Sequence, residues 1–450
     1  MRTFRSKDAR TCPRRVSRGF VVLCCIGSFV LPGVSQERFA SIIRLAVQNS
    51  PRVRSAEIDL NKAQRNLAIA KDIFVPSVVA GGGLGWSYGI TLTVPTIFTV
   101  NAQSLVYSNQ QRFAIRAAHA EVEAAQFALA EARQQTEEDA AVTSIALDEN
   151  QAALEAMSQQ QQLASRLVSI LEDRVRAGLD SELDLHKARR SALQIDLQKL
   201  QAEEDRATLL AHLADITGLP PSDLSLPHDS IPSIPEADIS GDPAVRGAFS
   251  TPGLLAAEAT ARAKMEHAKG EAGYTWRPII NFAAQYGRVS PINDVSSFYN
   301  LHGNYNTANI GVQFSFPMFD KIRKEAGHIS MEDAARAQID TRNQRAEETA
   351  NRLKMQRSVR LIATREKLAE LDLAIAQDEL KSTEIQLHGS SASPPLTPKE
   401  EQQAKIQERQ KYLDLLDARM QLNKARISML RQTGQLDTWL QSQAISSATP

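Results

Sequence analysis

Two hydrophobic patterns alternate along this chain, one with helical spacing and one with strict alternation. Ser108 to Ala177 is 70 residues without Gly or Pro, and His328 to His388 is equally uninterrupted; counting back to Lys321 gives the second stretch 68 residues. At about 1.5 Å per residue the first is a rod of roughly 105 Å, whereas helices of globular proteins average about a dozen residues. Rods of this length must lie against other helices. Leu163, Leu167, Ile170 and Leu171, and again Leu193, Leu197 and Leu200, recur at the spacing of a narrow coiled-coil seam. Elsewhere the seam positions are mostly Ala, which lets neighbouring helices approach closely.

Where helical spacing stops, alternation begins. Ile310, Val312, Phe314 and Phe316 face one way, and Gly311, Gln313 and Ser315 the other. Leu92, Val94, Phe98, Val100 and Ala102 alternate with Thr91, Thr93, Thr99, Asn101 and Gln103. Val78, Ala80, Leu84, Trp86, Tyr88 and Ile90 oppose Gly81, Gly83, Gly85, Ser87 and Gly89. These stretches hold 16 of the 24 aromatic residues, between Phe74 and Phe113 or between Tyr274 and Phe319. An antiparallel sheet packed on a soluble core alternates in the same way. The bare Gly/Ser face and the aromatics near strand ends favour a membrane barrel with a lumen. Four strands cannot close one, since the smallest membrane barrels have about eight. Each chain is therefore expected to donate four strands to a shared barrel, in an obligate oligomer.

The order of elements occurs twice, offset by 201 residues: Ser50-Pro51 with Ala56-Glu57, then Thr251-Pro252 with Ala257-Glu258. Each copy reads as helix, proline-marked hairpin (Pro76, Pro278), long helix, break, and shorter helix ending near Gly218 or Gly434. Glu37–Ile73 and Asp180–Thr217, set end to end, match the first rod in length; Thr251–Gly273 and Thr397–Asp437 match the second. The expected fold is mainly α with β: long coiled-coil hairpins plus two β-hairpins, at about 77–105 and 277–317, contributing to a barrel. The expected organisation is an export signal at 1–36, a first repeat at 37–218, a proline-rich linker strap at 219–250, a second repeat at 251–440 and a disordered tail at 441–450.

Charge and cysteine place the chain more than they assign chemistry. The 52 basic and 52 acidic residues balance, so bulk electrostatics gives a nucleic-acid partner no support. Seven basic residues and one acidic lie in the first 35. Arg14, Arg15 and Arg18 precede the apolar run Phe20–Val34, which ends in small residues, as a cleaved secretory signal does near Ser35 or Gln36. The run is too short for a spanning helix. Cys12, Cys24 and Cys25 all fall within this signal segment, so the mature chain would have neither a disulfide framework nor a thiolate metal site. No other segment reads as a transmembrane helix, and any membrane crossing must use strands. No catalytic, cofactor or metal site is assigned. Gly81–Gly85 resembles a phosphate loop, but strand residues and not a helix follow it. Glu325 and His328 have carboxylate-bridged metal spacing without the second copy such sites need.

The duplicated order, the openings Asn49-Ser50-Pro51 and Thr251-Pro252, the run Gly311-Val-Gln-Phe-Ser-Phe-Pro-Met-Phe-Asp320, and Arg174-Val-Arg-Ala-Gly178-Leu-Asp-Ser-Glu-Leu-Asp184 together resemble the TolC family of outer-membrane efflux proteins, over about residues 37 to 440. The resemblance implies a homotrimer with a 12-stranded barrel among outer-membrane lipid and a 12-helix periplasmic tube. It also implies docking to a periplasmic adaptor (membrane fusion protein) and an inner-membrane transporter, without an enzyme activity of its own. In that frame the helical tips form the periplasmic mouth, and Arg174, Gly178, Asp180, Asp184 and Glu400 are candidates for the mouth or for adaptor docking. Threefold repetition would turn Asp180, Glu182 and Asp184 into a cation-favouring ring, although acids opening a helix also simply complement its dipole. The second tip, Gly389–Pro398, departs from the family's single-glycine turn. Asp414 and Asp417 look locally like the family's paired gate acids. Counting back 40 residues from Gly434, as from Gly218 to Gly178, puts Glu400 in the place of Asp184 and leaves Asp414 about 21 Å farther along. The function expected is a passive duct in a tripartite efflux or type I secretion system, with a periplasmic coiled-coil adaptor or scaffold as the alternative.

Overall fold

The computed structural model describes residues 33–83, 96–224, 231–235, 250–273, 277–289, 306–388 and 397–446. The basic and apolar segment through residue 32, most of the linker, the hairpin tips with Leu84–Ile90 and Leu92–Val94, and residues 389–396 of the second tip lie outside the described residues. The first repeat runs α1 (Gly33–Asn49), α2 (Pro51–Asp72), β1 (Ser77–Gly82), β2 (Thr96–Tyr107), α3 (Asn109–Arg176) and α4 (Glu182–Thr217). The second runs α5 (Pro252–Ala272), β3 (Ile279–Val289), β4 (Asn306–Ser315), α6 (Lys321–His388), α7 (Pro398–Gln432) and α8 (Leu436–Ser446). The rods α3 and α6 have 68 residues each.

Short side chains and polar caps set these helices. Ser108, Ser181 and Thr251 each accept a hydrogen bond from the backbone N–H three residues on, satisfying a donor that the first turn leaves free. Gly178, Gly218 and Gly434 end α3, α4 and α7 with φ of 70°, 73° and 71°, a left-handed turn that glycine adopts without steric cost. After Gly178, the Leu179 N–H bonds back to the Arg174 carbonyl at 2.9 Å; after Gly434, the Gln435 N–H bonds back to Leu430 at 2.9 Å. The two repeats thus stop their helices in the same way.

α3 is the hub: α2, α4, α5 and α7 pack on it, and α6 packs on α5 and α7. Ala is the commonest of its buried residues, including Ala117, Ala124, Ala132, Ala140, Ala156 and Ala164. Larger side chains gather near mid-length, where Phe39 and Ile43 of α1, Ile145 of α3, Leu213 of α4, and Ile427 and Leu430 of α7 form one core. The Arg431 guanidinium reaches Glu131 at 2.8 Å and also binds Glu138, and Glu131 accepts the Gly253 N–H at 3.1 Å. A pair of α3 carboxylates therefore ties the start of α5 and the end of α7 to the same rod.

Three expectations change. Leu193, Leu197 and Leu200 were read as a seam, but they are 68%, 57% and 61% exposed in this single chain, while Leu185, Ala188, Ile195 and Ala202 face α3. Spacing identifies a stripe and not its partner. The linker, read as a strap, contributes to the core, with Leu224 and Ile234 fully or nearly buried. The tail expected to be disordered from residue 441 is helical through Ser446, because Leu436 and Trp439 anchor α8 in the core, the latter edge-on to Phe39 at 6.2 Å.

The strands form one antiparallel sheet, β1–β2–β3–β4. Val78 lies opposite Ala102, Ala102 opposite Ala284, and Ala284 opposite Ile310; Ala80, Val100, Tyr286 and Ala308 form the next rung. Cross-strand neighbours share a face, so an apolar face crosses the whole sheet. Its other face carries Gly81, Thr99, Gly287 and Thr307 on one rung, and Asn101, Gln285 and Asn309 on another. β4 is exposed along its whole length. No described helix is long and apolar enough to cross a membrane.

Leu430 is 1% exposed. Leu430→Ala should therefore cost about 2–5 kcal/mol through lost burial and the cavity left behind, read as an earlier denaturant midpoint for the detergent-solubilised protein. A loss within about 0.5 kcal/mol would show that the mid-length core is not what holds the helices.

Candidate functional site

The descending rod α3 turns at Gly178 and α4 begins four residues later. Gly178 combines positive φ with open space around its α-carbon, so only backbone conformation selects glycine there. At this turn the Arg174 Nε donates to the Asp180 carboxylate at 2.6 Å, and the Lys399 ammonium lies 3.8 Å from the other Asp180 oxygen. Lys399 is the second residue of α7, so Asp180 joins the first hairpin tip to the start of the last long helix. The Arg174 hydrogen bond above all, with added attraction from Lys399, holds the Asp180 carboxyl below its ordinary value; the same bond raises the Arg174 guanidinium further. Asp180 is thus engaged by two cations of its own protomer.

Asp184 and Glu400 occupy the same structural place. Each is the third residue of its helix, after the caps Ser181 and Thr397. The Ser181 hydroxyl donates to Asp184 at 3.0 Å and accepts the Asp184 N–H at 3.2 Å. The Thr397 N–H donates to Glu400 at 2.7 Å, and its hydroxyl donates at 3.2 Å. Thr397 and Glu400 form a capping box, which sequence shows as Ser/Thr-x-x-Glu. Glu400 also lies close enough to Arg174 to favour its charge. The count from the repeat and the helix starts agree in giving Glu400 the place in α7 that Asp184 has in α4. Glu182 opens α4 as an acid in its first turn.

Asp414 and Asp417 lie elsewhere. Asp414 is 16 residues along α7 from Pro398, roughly 24 Å at helical rise. It accepts from Gln410 at 3.1 Å and lies 3.6 Å from Lys411, while Asp417 accepts from Gln421 at 2.8 Å. Lys411 bridges from Asp414 to Asp372 of α6 at 3.1 Å. Both acids border a groove of about 780 Å³ between α4 and α7, together with Glu149, Asp205, Met157 and Leu413. The structure brings Arg174, Asp180, Lys399 and Glu400 together and holds Asp414 and Asp417 apart from them.

Sequence reasoning missed Lys399 and the exposed pair Leu179 and Leu183, 66% and 61% accessible at the tip. A cation in the first turn of a helix opposes the helix dipole, so Lys399 beside Pro398 was a signal that an anion waits nearby. Glu325 and His328 sit exposed on α6, and no group of three or more metal-binding side chains is found among the described residues.

Residues 42–219 match the family model described as outer membrane efflux protein. Solved structures share the fold over most of the chain. The Campylobacter jejuni CmeC outer membrane channel has a TM-score of 0.75 at 14% identity, covering 90% of this chain and 89% of its own. The outer membrane protein VceC of Vibrio cholerae has 0.71 at 18%, covering 90% and 98%, and the MtrE outer membrane channel of Neisseria gonorrhoeae has 0.63 at 14%, covering 89% and 90%. No curated relative matches by sequence. The first repeat thus matches the outer membrane efflux protein family in sequence, and both repeats share the fold of these outer membrane channels.

Proposed function

We propose that the chain is the outer-membrane channel of a tripartite efflux or type I secretion assembly, a homotrimeric passive duct whose helical tips meet a periplasmic adaptor and whose cargo is driven by an inner-membrane transporter. One observation carries the reading: a four-stranded sheet, apolar on one face and small or polar on the other, with β1 and β4 each paired on one side only. Exposed edges of this kind pair with another chain, and three copies supply twelve strands. The exposed leucine stripe of α4 supports the same reading, because a protomer contact would cover it. So do Ile339, Leu361 and Leu368, more than half exposed along α6.

The tips supply the gate in this reading. Asp180 restrains both hairpins through Arg174 and Lys399, while Asp184 and Glu400 hold the first turns of α4 and α7. Leu179 and Leu183 offer apolar surface to an adaptor tip. Passage of cargo requires the tips to part, and the Asp180 contacts are what parting breaks.

Purified in detergent, the protein should run as a heat-modifiable oligomer with three times the protomer mass by intact-complex mass spectrometry; a water-soluble monomer indifferent to detergent would end the channel reading. In planar bilayers, Asp180→Asn should lengthen the open time several-fold, and Asp184→Asn should weaken block by divalent cations. Unaltered opening would remove Asp180 from the gate, and unaltered block would clear Asp184. Leu183→Glu should reduce crosslinking to the adaptor in cells without changing trimer yield, whereas wild-type crosslinking would move the docking surface off this tip.

A further inference from the structure

Glu137 and Asp437 bring two carboxyl groups into hydrogen-bonding contact where α8 lies on α3. One Glu137 oxygen is buried with no donor to it. Both residues border a cavity of about 260 Å³ whose apolar walls are Ile43 and Val47 of α1 and Leu440 of α8. Like charges at contact, partly removed from water, cannot both stay ionised; a shared proton turns the repulsion into a hydrogen bond.

The surrounding charges do not remove that need. Arg133, on the same helix as Glu137, pairs with Glu57 of α2 at 3.2 Å and only partly offsets the effect. Glu138 is held by Arg431 of α7, and Asp139 meets His212 of α4 at 3.1 Å. Arg44 of α1 stands on the cavity wall. Burial first, then the hydrogen bond and charge of Asp437, push the Glu137 carboxyl up to about 9.

α8 is the element exposed to the consequence. It has 11 residues, too few to be stable alone, and it attaches chiefly by Leu436 and Trp439, 1% and 6% exposed. We propose that Glu137 and Asp437 form a proton-dependent latch, seating α8 over the mid-length core while they share a proton and releasing it when the proton leaves. The sign follows from the raised folded-state value. The folded protein binds the proton more tightly than the unfolded chain, so this contribution is complete below the ordinary carboxyl value of 4.5 and is lost as pH rises through about 9.

Trp439 reports the latch directly. In the full-length protein carrying W86F and W276F, Trp439 is the sole tryptophan. Acrylamide quenching of its emission, in detergent, should be low at neutral pH and rise about threefold or more as the helix opens locally, with a midpoint near pH 9. Glu137→Gln supplies an amide donor to Asp437 without a titrating proton, so quenching should stay low across the range. Asp437→Asn should remove the midpoint as well, which covers the case of a poorly folded Glu137→Gln protein. Flat quenching from about pH 6 to about 10.5 without either substitution at 137 or 437, or a transition that persists unchanged in both substituted proteins, would overturn the latch.

Discussion

A peptide group at hydrocarbon depth has no water to bond, so each N–H and C=O there needs a protein partner. β2 and β3 meet this demand on both sides within one protomer, while β1 and β4 meet it on one side only. Those outer edges constrain everything beneath them. In the proposed channel they pair with neighbouring copies, and copies around a common axis place the helices that enter and leave the sheet around it too. The duplicated order of elements answers that requirement, since each repeat delivers one hairpin upward and one long helical hairpin downward from a common level. The small residues on the sheet's second face are then explained by the same geometry: a curved sheet crowds its concave side, where Gly81, Gly287 and Thr99 leave room.

The rods are held by many weak contacts and a few strong ones. An isolated helix gains little from propensity alone, and tertiary packing supplies most of its stability. Along α3 that packing rests mainly on Ala, which buries little apolar area per residue but lets backbones approach. Gly270 shows the limit: a side chain there would meet the Phe113 Cβ at 3.0 Å. Larger apolar side chains concentrate at mid-length, where α1, α4, α7, α8 and the linker meet, with a smaller group near the tip formed by Leu167, Leu171, Leu185 and Ala188. Between these regions Ala152 and Ala156 of α3 pack with Leu413 and Leu416 of α7 in a third, small group.

Much of this was legible in residue order because the signals were local. Uninterrupted runs fixed both rods, with α6 beginning and ending at the residues read from sequence, Lys321 and His388. Ser108, Ser181, Thr251 and the three glycines marked helix ends by chemistry that acts within four residues. What stayed hidden depended on partners far along the chain. Leu193, Leu197 and Leu200 have coiled-coil spacing whether they face α3 or another protomer. Leu224 and Ile234 are sparse apolar residues among prolines, and nothing local says that the core closes over them. Asp180 reads as a free acid until Lys399, more than two hundred residues away, arrives beside it.

The pairing of Asp180 with Lys399 also explains why two duplicated tips need not be equivalent. Duplication conserves what each repeat requires for itself, and the caps Ser181/Asp184 and Thr397/Glu400 are such features, because every helix must satisfy its own first turn. A contact between the repeats has no such symmetry: one tip must supply the acid and the other the base. Here the first tip keeps a tight glycine turn that aims Arg174 and Asp180 at each other, and the second carries its cation into the first turn of α7, where the dipole disfavours it. Asp180 offsets that unfavourable placement together with Glu400 and Glu401, the acids of the same first turn. The contact between the two tips is built from ordinary surface charges, and salt weakens it.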